Sequence, residues 1–331
     1  MTETIRCQAR VPDACSGQRL DQVAASLFTD YSRARLQQWI KEGRLLVDGA
    51  SARPRDKLFG GEELSLEAEL EAQGEWQPQE IGLDLVFEDA HIMVLNKPAG
   101  LVVHPAAGNP DGTLLNGLLH HAPEVAAVPR AGIVHRLDKD TSGLMVVART
   151  LAAQVSLVAQ LKARTVSRVY EAVVNGCLTG GGTIDNFMGR HRQNRLKMAV
   201  LPEIEGRTDR KPAITHYRLI RNYRAHSHVQ CKLETGRTHQ IRVHMAHIGH
   251  PLVGDPLYGG RPKLPKGASP ETIACLQGFE RQALHAARLG LVHPESGEEM
   301  EWQVPLPADF RVLLDTLDDD LRQYPENDLD R

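Results

Sequence analysis

From Leu83 onward, short apolar runs follow one another, several with no helical stretch between them, and this succession restricts the architecture more than any other feature. The runs are Leu83–Phe87, Ile92–Leu95, Leu144–Ala148, Val166–Val174, Ile214–Ile220, His228–Leu233 and Leu289–His293. All are strand-sized. Helical spacing occurs at 113–121, 151–163 and 237–248. A doubly wound parallel sheet needs a helix at each crossover, so the order predicts an α+β domain with a mixed, mainly antiparallel sheet. The first two runs, joined across Glu88–His91, predict a hairpin.

A smaller unit precedes this domain. Leu20, Val23, Ala24 and Leu27 recur at helical spacing after Gly17, and Ser32 is placed to cap a second helix carrying Leu36, Trp39 and Ile40, stopped by Gly43. Leu45 and Val47, the turn dipeptide Asp48-Gly49, and Leu64 with Leu66 add a small sheet. The expected division is a small domain over 1–66, an acidic linker over 67–82, the large domain over 83–310 and an acidic C-terminal tail over 311–331. Residues 315–331 hold 7 acidic against 2 basic residues, which predicts a segment that frays or lies on the surface.

The net charge of −3 conceals a segregated distribution. Residues 18–57 carry 8 Lys/Arg against 5 Asp/Glu, 58–96 carry none against 10, and 190–242 carry 13 against 4. Two basic regions flanking an acidic one suit a polyanion-binding protein, although solvated patches without a partner also fit. No apolar run approaches the roughly 18 residues of a membrane span, and the first residues lack an apolar signal core. Five scattered cysteines with no C-x-x-C pair argue against a disulfide framework or a zinc ribbon. A cytosolic protein is expected.

Three runs concentrate chemistry. Gly132–Leu144 packs His, Arg, two Asp, Thr and Ser between apolar pieces; in an extended chain Arg136 and Asp138 point to one face, with Asp140 joining them or facing solvent. A turn held by Asx and Ser/Thr hydrogen bonds explains the same residues without function. In Leu233–His250 a strand ends at Thr235-Gly236, and Arg237 falls in the opening turn of a helix, where a cation opposes the dipole and suggests recruitment to an anion. His244, His247 and His250 recur every third residue, which rotates them around a helix, so no metal site is expected. In Thr165–Val174, Tyr170 sits mid-strand, where a core tyrosine is the simplest reading.

Taken together, H-R-L-D-K-D-T-S-G-L, R-V-Y and T-G-R-T-H-Q-I-R-V-H resemble the RluA-type pseudouridine synthases. L-N-K-P-A-G-L-V-V-H-P at 95–105, I-D-N-F-M-G-R-H-R-Q-N-R-L-K-M-A-V at 184–200 and H-P-L-V-G-D-P-L-Y-G at 250–259 extend the likeness over residues 83 to about 305, while 18–66 resemble the small αL RNA-binding module. Ala131 departs from the family, which usually has Pro there.

The resemblance implies that Asp138 is the catalytic aspartate, attacking the sugar or taking a sugar proton so that the glycosidic bond breaks and the uracil rejoins through carbon. It further implies that Arg237 pairs with Asp138 and keeps it ionised, that Tyr170 stacks beneath the target base, and that Arg136 fills the space of the extruded base. Ile241, one turn beyond Arg237, becomes an apolar pocket wall. The isomerisation leaves composition unchanged, so no cofactor is expected. Arg33, Arg35, Lys41, Arg44, Arg190, Arg192, Arg195 and Lys197 would track phosphates. The implied partner is 23S ribosomal RNA or the assembling large subunit, met by a monomer, with transfer RNA as the alternative target. Two rivals are a glycoside hydrolase pairing Asp138 with Asp140 and a non-catalytic RNA-binding assembly protein.

Overall fold

The computed structural model describes residues 3–28, 33–70, 76–106, 108–194, 196–203 and 209–324, with backbone alone for 3–5, 33–35 and 69–70. The chain divides into two units, Met1–Trp76 and Gln77–Arg331.

The first unit runs β1 (Glu3–Arg10), α1 (Leu20–Leu27), α2 (Arg33–Lys41), β2 (Leu45–Val47), β3 (Ala50–Ser51) and β4 (Glu63–Leu70), with sheet order β1-β4-β2-β3. Its two helices form as their spacing predicts, and Leu20, Val23, Leu36, Trp39 and Ile40 share one core with Leu45, Leu64 and Leu66. Asp48 and Gly49 both have positive φ, 48° and 75°, the conformation of a tight turn between β2 and β3. The expected boundary at residue 66 is corrected. β4 continues to Leu70 against β1 because Leu64, Leu66 and Ala68 alternate inward, while Glu67 points out to Arg6 at 2.7 Å. The first acidic residue of the expected linker, Glu67, thus lies on the solvent face of a strand, and 71–75 lie outside the described residues.

The second unit contains β5 (Leu85–Glu88), β6 (Ile92–Lys97), α3 (Leu114–His121), β7 (Ser142–Ala148), α4 (Leu151–Ala163), β8 (Ser167–Asn175), β9 (Gly182–Arg190), β10 (Met198–Leu201), β11 (Arg210–Asn222) and β12 (His226–Leu233). It continues with α5 (Gln240–His247), α6 (Pro270–Gly278), β13 (Leu284–Val292), β14 (Glu299–Gln303) and α7 (Ala308–Gln323). Ten strands form one sheet in the order β10-β9-β11-β12-β8-β13-β7-β6-β5, with β14 on β13. Every pairing is antiparallel except β13 with β7, which meet in parallel over two residue pairs. The fold is thus the expected mixed, mainly antiparallel α+β type, and the β5–β6 hairpin forms where the sequence places it.

Two helices seal the sheet. α4 buries Ala153 and Leu157 against Ile92, Val146, Val166 and Leu289. The C-terminal expectation is corrected as far as residue 324, the remaining 325–331 lying outside the described residues: α7 buries Phe310, Leu313 and Leu317 on Val173 and α6, which contributes on the order of 5 kcal/mol or more of apolar burial. Its acidic residues are recruited as well. Asp320 is buried in an ion pair with Arg224 at 3.1 Å, Asp318 meets Arg221 at 2.7 Å, and Asp309 meets Arg281 at 2.6 Å. A charge count could not show that the apolar residues of this segment fall on one helical stripe. Among the described residues no helix is long and apolar enough to cross a membrane.

Candidate active site

The segment from Gly132 to Thr141 crosses the end of β7 and leads into it. Gly132 has φ 74°, and a Cβ there would collide with the Ala148 carbonyl, so only glycine lets the chain approach this closely. Arg130 and Ala131 are also left-handed, at φ 56° and 51°; a proline ring could not reach the Ala131 value. The Asp138 carbonyl accepts the Thr141 amide at 3.1 Å, a tight turn that fixes the aspartate just before the strand. Buried Lys97 fastens the neighbouring chain by giving its three ammonium hydrogens to the carbonyls of Pro98, Leu101 and Lys139 at 2.8, 2.9 and 2.8 Å. Burial pulls Lys97 down to about 7, with Asp140 and Asp138 opposing that pull. Three well-placed acceptors describe the charged form.

This turn faces a cavity of about 410 Å³, lined by Arg136, Asp138, Tyr170, Arg237, His239, Ile241 and Arg242 among others. The volume suits a nucleoside. Tyr170 and Ile241 are its apolar walls, both nearly buried. Burial, with Asp138 nearby, pushes the Tyr170 hydroxyl up, though Arg168 draws it down, so the ring stays neutral. Arg136 is exposed at the cavity. Asp140 is not part of the lining, which among the described residues leaves Asp138 as the single carboxylate there and removes the geometric basis of a paired-carboxylate hydrolase.

The cation expected beside Asp138 is corrected. Arg237 does not pair with it; its Nε donates to the Pro212 carbonyl at 3.1 Å. The partner is Arg242, whose Nη1 donates to Asp138 Oδ2 at 2.9 Å. The reason lies in how α5 begins. His239 is left-handed at φ 57°, and the Gln240 side chain accepts from the Arg237 amide and Thr235 hydroxyl while donating to the Ile214 carbonyl. The helix therefore starts at Gln240, three residues later than the spacing predicts, which leaves Arg237 in the turn before it. Arg242 is then carried on the buried side of the helix between Ile241 and Val243.

Arg242 is itself held from behind. Asp255, fully buried, accepts its Nε at 2.7 Å and Nη2 at 2.9 Å, and also accepts the amides of Leu257 and Tyr258. Burial works against the guanidinium's charge, but Asp255 and Asp138 outweigh it and hold Arg242 above its ordinary value. Burial likewise raises Asp255, and the Arg242 contacts reverse that to a net lowering. Tyr258 adds its ring beneath Arg242, 5.2 Å from centroid to Cζ.

Tyr258 also reaches His239. Its hydroxyl oxygen accepts the Met198 amide at 2.8 Å and lies 2.9 Å from His239 Nδ1, so its proton is directed to that nitrogen. The imidazole hydrogen then sits on Nε2, 3.9 Å from Asp138 Oδ1. Burial, with Asp138 opposing it, holds His239 below the ordinary histidine range. Two other histidines of the run take separate partners, Thr215 for His244 and the Asn175 carbonyl for His250.

The basic residues distribute unevenly. Arg190 and Arg192 are exposed, and Lys197 places Nζ 5.7 Å from the Tyr258 ring, tying the β9–β10 hairpin to the site. Arg195 lies outside the described residues. In the first unit Lys41 and Arg44 are exposed; Arg33 and Arg35 open α2, with their side chains outside the description.

Residues 91–247 match the model of the RNA pseudouridylate synthase family, and residues 18–64 match the S4 domain. The chain is 60% identical to ribosomal large subunit pseudouridine synthase D of Pseudomonas aeruginosa, covering 98% of this chain and 99% of the relative. It belongs to the RNA pseudouridylate synthase family. Proteins of the same description from Xanthomonas campestris and Escherichia coli (strain K12) share 58% and 53% identity, covering 96% and 98% of the synthase and 95% and 98% of the relatives. Among solved structures, human RNA pseudouridylate synthase domain containing 1 superposes with TM-score 0.51 at 28% identity, covering 69% of the synthase and 85% of that chain. Human domain containing 4 gives TM-score 0.56 at 24% identity over 71% and 93%, a likeness of fold. The synthase therefore joins an S4 domain to a catalytic domain of known type.

Proposed function

We propose that this RNA pseudouridine synthase isomerises specific uridines of 23S ribosomal RNA in the large subunit, with Asp138 as its catalytic residue. One observation carries the assignment of Asp138: among the described residues its carboxylate is the sole acid lining a nucleoside-sized cavity, faced by Tyr170 and charge-paired to Arg242. Isomerisation breaks the N1–C1′ bond and forms C5–C1′; the proton lost from C5 balances the one gained at N1. Either attack of Asp138 at C1′ or removal of a sugar proton by it requires the anion in a water-poor site, and Arg242 supplies the opposing charge. Tyr170 offers an apolar face for the uracil, and Arg136 at the cavity mouth is suited to fill the stack that the base vacates. The names of relatives covering nearly the whole chain favour the ribosomal large subunit as target.

All these residues come from one chain, so a monomer suffices, and a ribosomal RNA target suits the cytosol. The basic residues of the S4 domain and of the β9–β10 hairpin would grip phosphates. The test maps carbodiimide-reactive uridines in ribosomal and transfer RNA from cells carrying wild type or Asp138→Ala. Loss of ribosomal sites in the variant is expected. Loss confined to transfer RNA would move the target, and intact sites throughout would remove Asp138 from the chemistry.

A further inference from the structure

The same cavity holds a second guanidinium whose situation is opposite to that of Arg242. Arg168 lies two residues before Tyr170 on β8, so the two side chains share one face of the strand, and both line the cavity. It is 7% exposed. Among the described residues its one hydrogen bond runs from Nη2 to the Glu234 carbonyl at 3.1 Å, and its Nε is buried with no acceptor. Among the described residues no carboxylate pairs with it, and the Glu234 side chain is engaged by Arg164 at 2.9 Å and His216 at 2.7 Å. Burial pulls the guanidinium below its ordinary value; Tyr170 opposes that pull and Arg237 adds to it.

The fold makes room for this cation. A Cβ on Gly236 would stand 2.6 Å from Arg168 Nη1, so the glycine before Arg237 admits the guanidinium to the cavity wall. Lys162 and Arg237 line the same stretch, whereas Asp138, the cavity's carboxylate, is taken by Arg242. A buried, under-bonded guanidinium among further cations costs folding free energy and answers to a bidentate anion. In an RNA the repeating anion is phosphate.

We propose that Arg168 binds a backbone phosphate flanking the flipped uridine, and so sets how far the nucleotide enters between Tyr170 and Asp138. This rests on the cavity being the uridine site. Arg168 is a binding and positioning residue, with Gly236 as the feature that admits it.

The test uses the full chain and a synthetic hairpin containing a uridine the enzyme modifies. Its two flanking linkages are replaced singly by neutral methylphosphonates and compared with normal linkages on the same 2′-O-methyl sugars. Wild type should lose roughly tenfold or more in affinity at one linkage, as expected for one charged hydrogen-bonded contact. Arg168→Gln should start roughly tenfold weaker, lose no more at that linkage, and show a salt dependence shallower by about 0.7 in log–log slope. Arg168→Lys should keep the salt slope and the sensitivity, and Gly236→Ala should imitate Arg168→Gln by displacing the guanidinium. Melting of Arg168→Gln should occur at or above the wild-type temperature.

Parallel salt slopes, with wild type and Arg168→Gln equally sensitive at both linkages, would overturn the proposal. A variant that melts several degrees lower while retaining wild-type sensitivity would make Arg168 a structural brace, with the same consequence. If Asp138→Asn still isomerises the hairpin, the reading of the cavity fails; if it is inactive and only the Arg168 results disagree, that reading stands and the phosphate contact falls.

Discussion

The α5 wall and the β8 wall of the cavity carry the same functional group under opposite conditions. On α5, Arg242 has two carboxylates, with three hydrogen bonds and one ring contact supplied by Asp138, Asp255 and Tyr258. On β8, Arg168 has one carbonyl. The first wall is complete without substrate and is built to hold Asp138 in place, while the second has donors to spare and is completed from outside. Preorganisation and recognition are thus divided between two arginines that line one chamber.

Removing the acid isolates chemistry from scaffold. Asp138→Asn should lower the rate of isomerisation by about 10⁴-fold or more while Arg242 keeps Asp255, so melting should shift little; pseudouridine yield by mass-silent digestion and a thermal melt read the two effects separately. Arg242→Gln strikes the completed wall. It leaves Asp255 buried without its cation and should cost about 3–5 kcal/mol of stability, read as a lowered denaturation midpoint. Arg168→Gln should move stability by about 1 kcal/mol at most and upward, so equal destabilisation by the two substitutions would erase the contrast. Tyr258→Phe sharpens it further: losing the hydroxyl that orients His239 should cost about 1 kcal/mol and lower kcat more than it raises KM.

Acid should weaken both walls together. His244 lies within α5, and His226 and His285 lie on the strands flanking β8; burial pushes each down to about 4. The unfolded chain takes protons on histidine near 6.5, the folded chain only near 4, so the unfolded state binds more protons between these values. Stability is present above about pH 6.5 and is lost as pH falls toward 4. A series of thermal melts over that window should show a steady decline, and a flat profile would mean these rings are already charged in the native protein.

Much of this was legible in the residues. α4 falls on the predicted span, Leu151–Ala163, and the seven predicted runs each carry a strand, whereas β9, β10 and β14 lie outside those runs. Asp138, Tyr170 and Ile241 converge because motif and local geometry coincide. Arg242 was missed because attention to the helix dipole selects the cation at the helix start, whereas the decisive one sits on the buried stripe between Ile241 and Val243. An arginine in such a stripe, with an aspartate in the G-D-P turn at 254–256, was the available signal. α7 was misread because acidity hid the spacing of Phe310, Leu313 and Leu317, and its buried Asp320 needs Arg224, 96 positions away, to make sense.

The parallel contact between β13 and β7 has a consequence for biosynthesis. Ser142 and His285, joined at 2.9 Å, are separated by 143 positions, and Asp138 waits on Arg242 and Asp255, more than a hundred positions downstream. A nascent polypeptide therefore carries Asp138 through most of translation without the guanidinium that pairs with it. Competence arrives as a single late event, when the last third of the chain leaves the tunnel and zips the two halves of the sheet together.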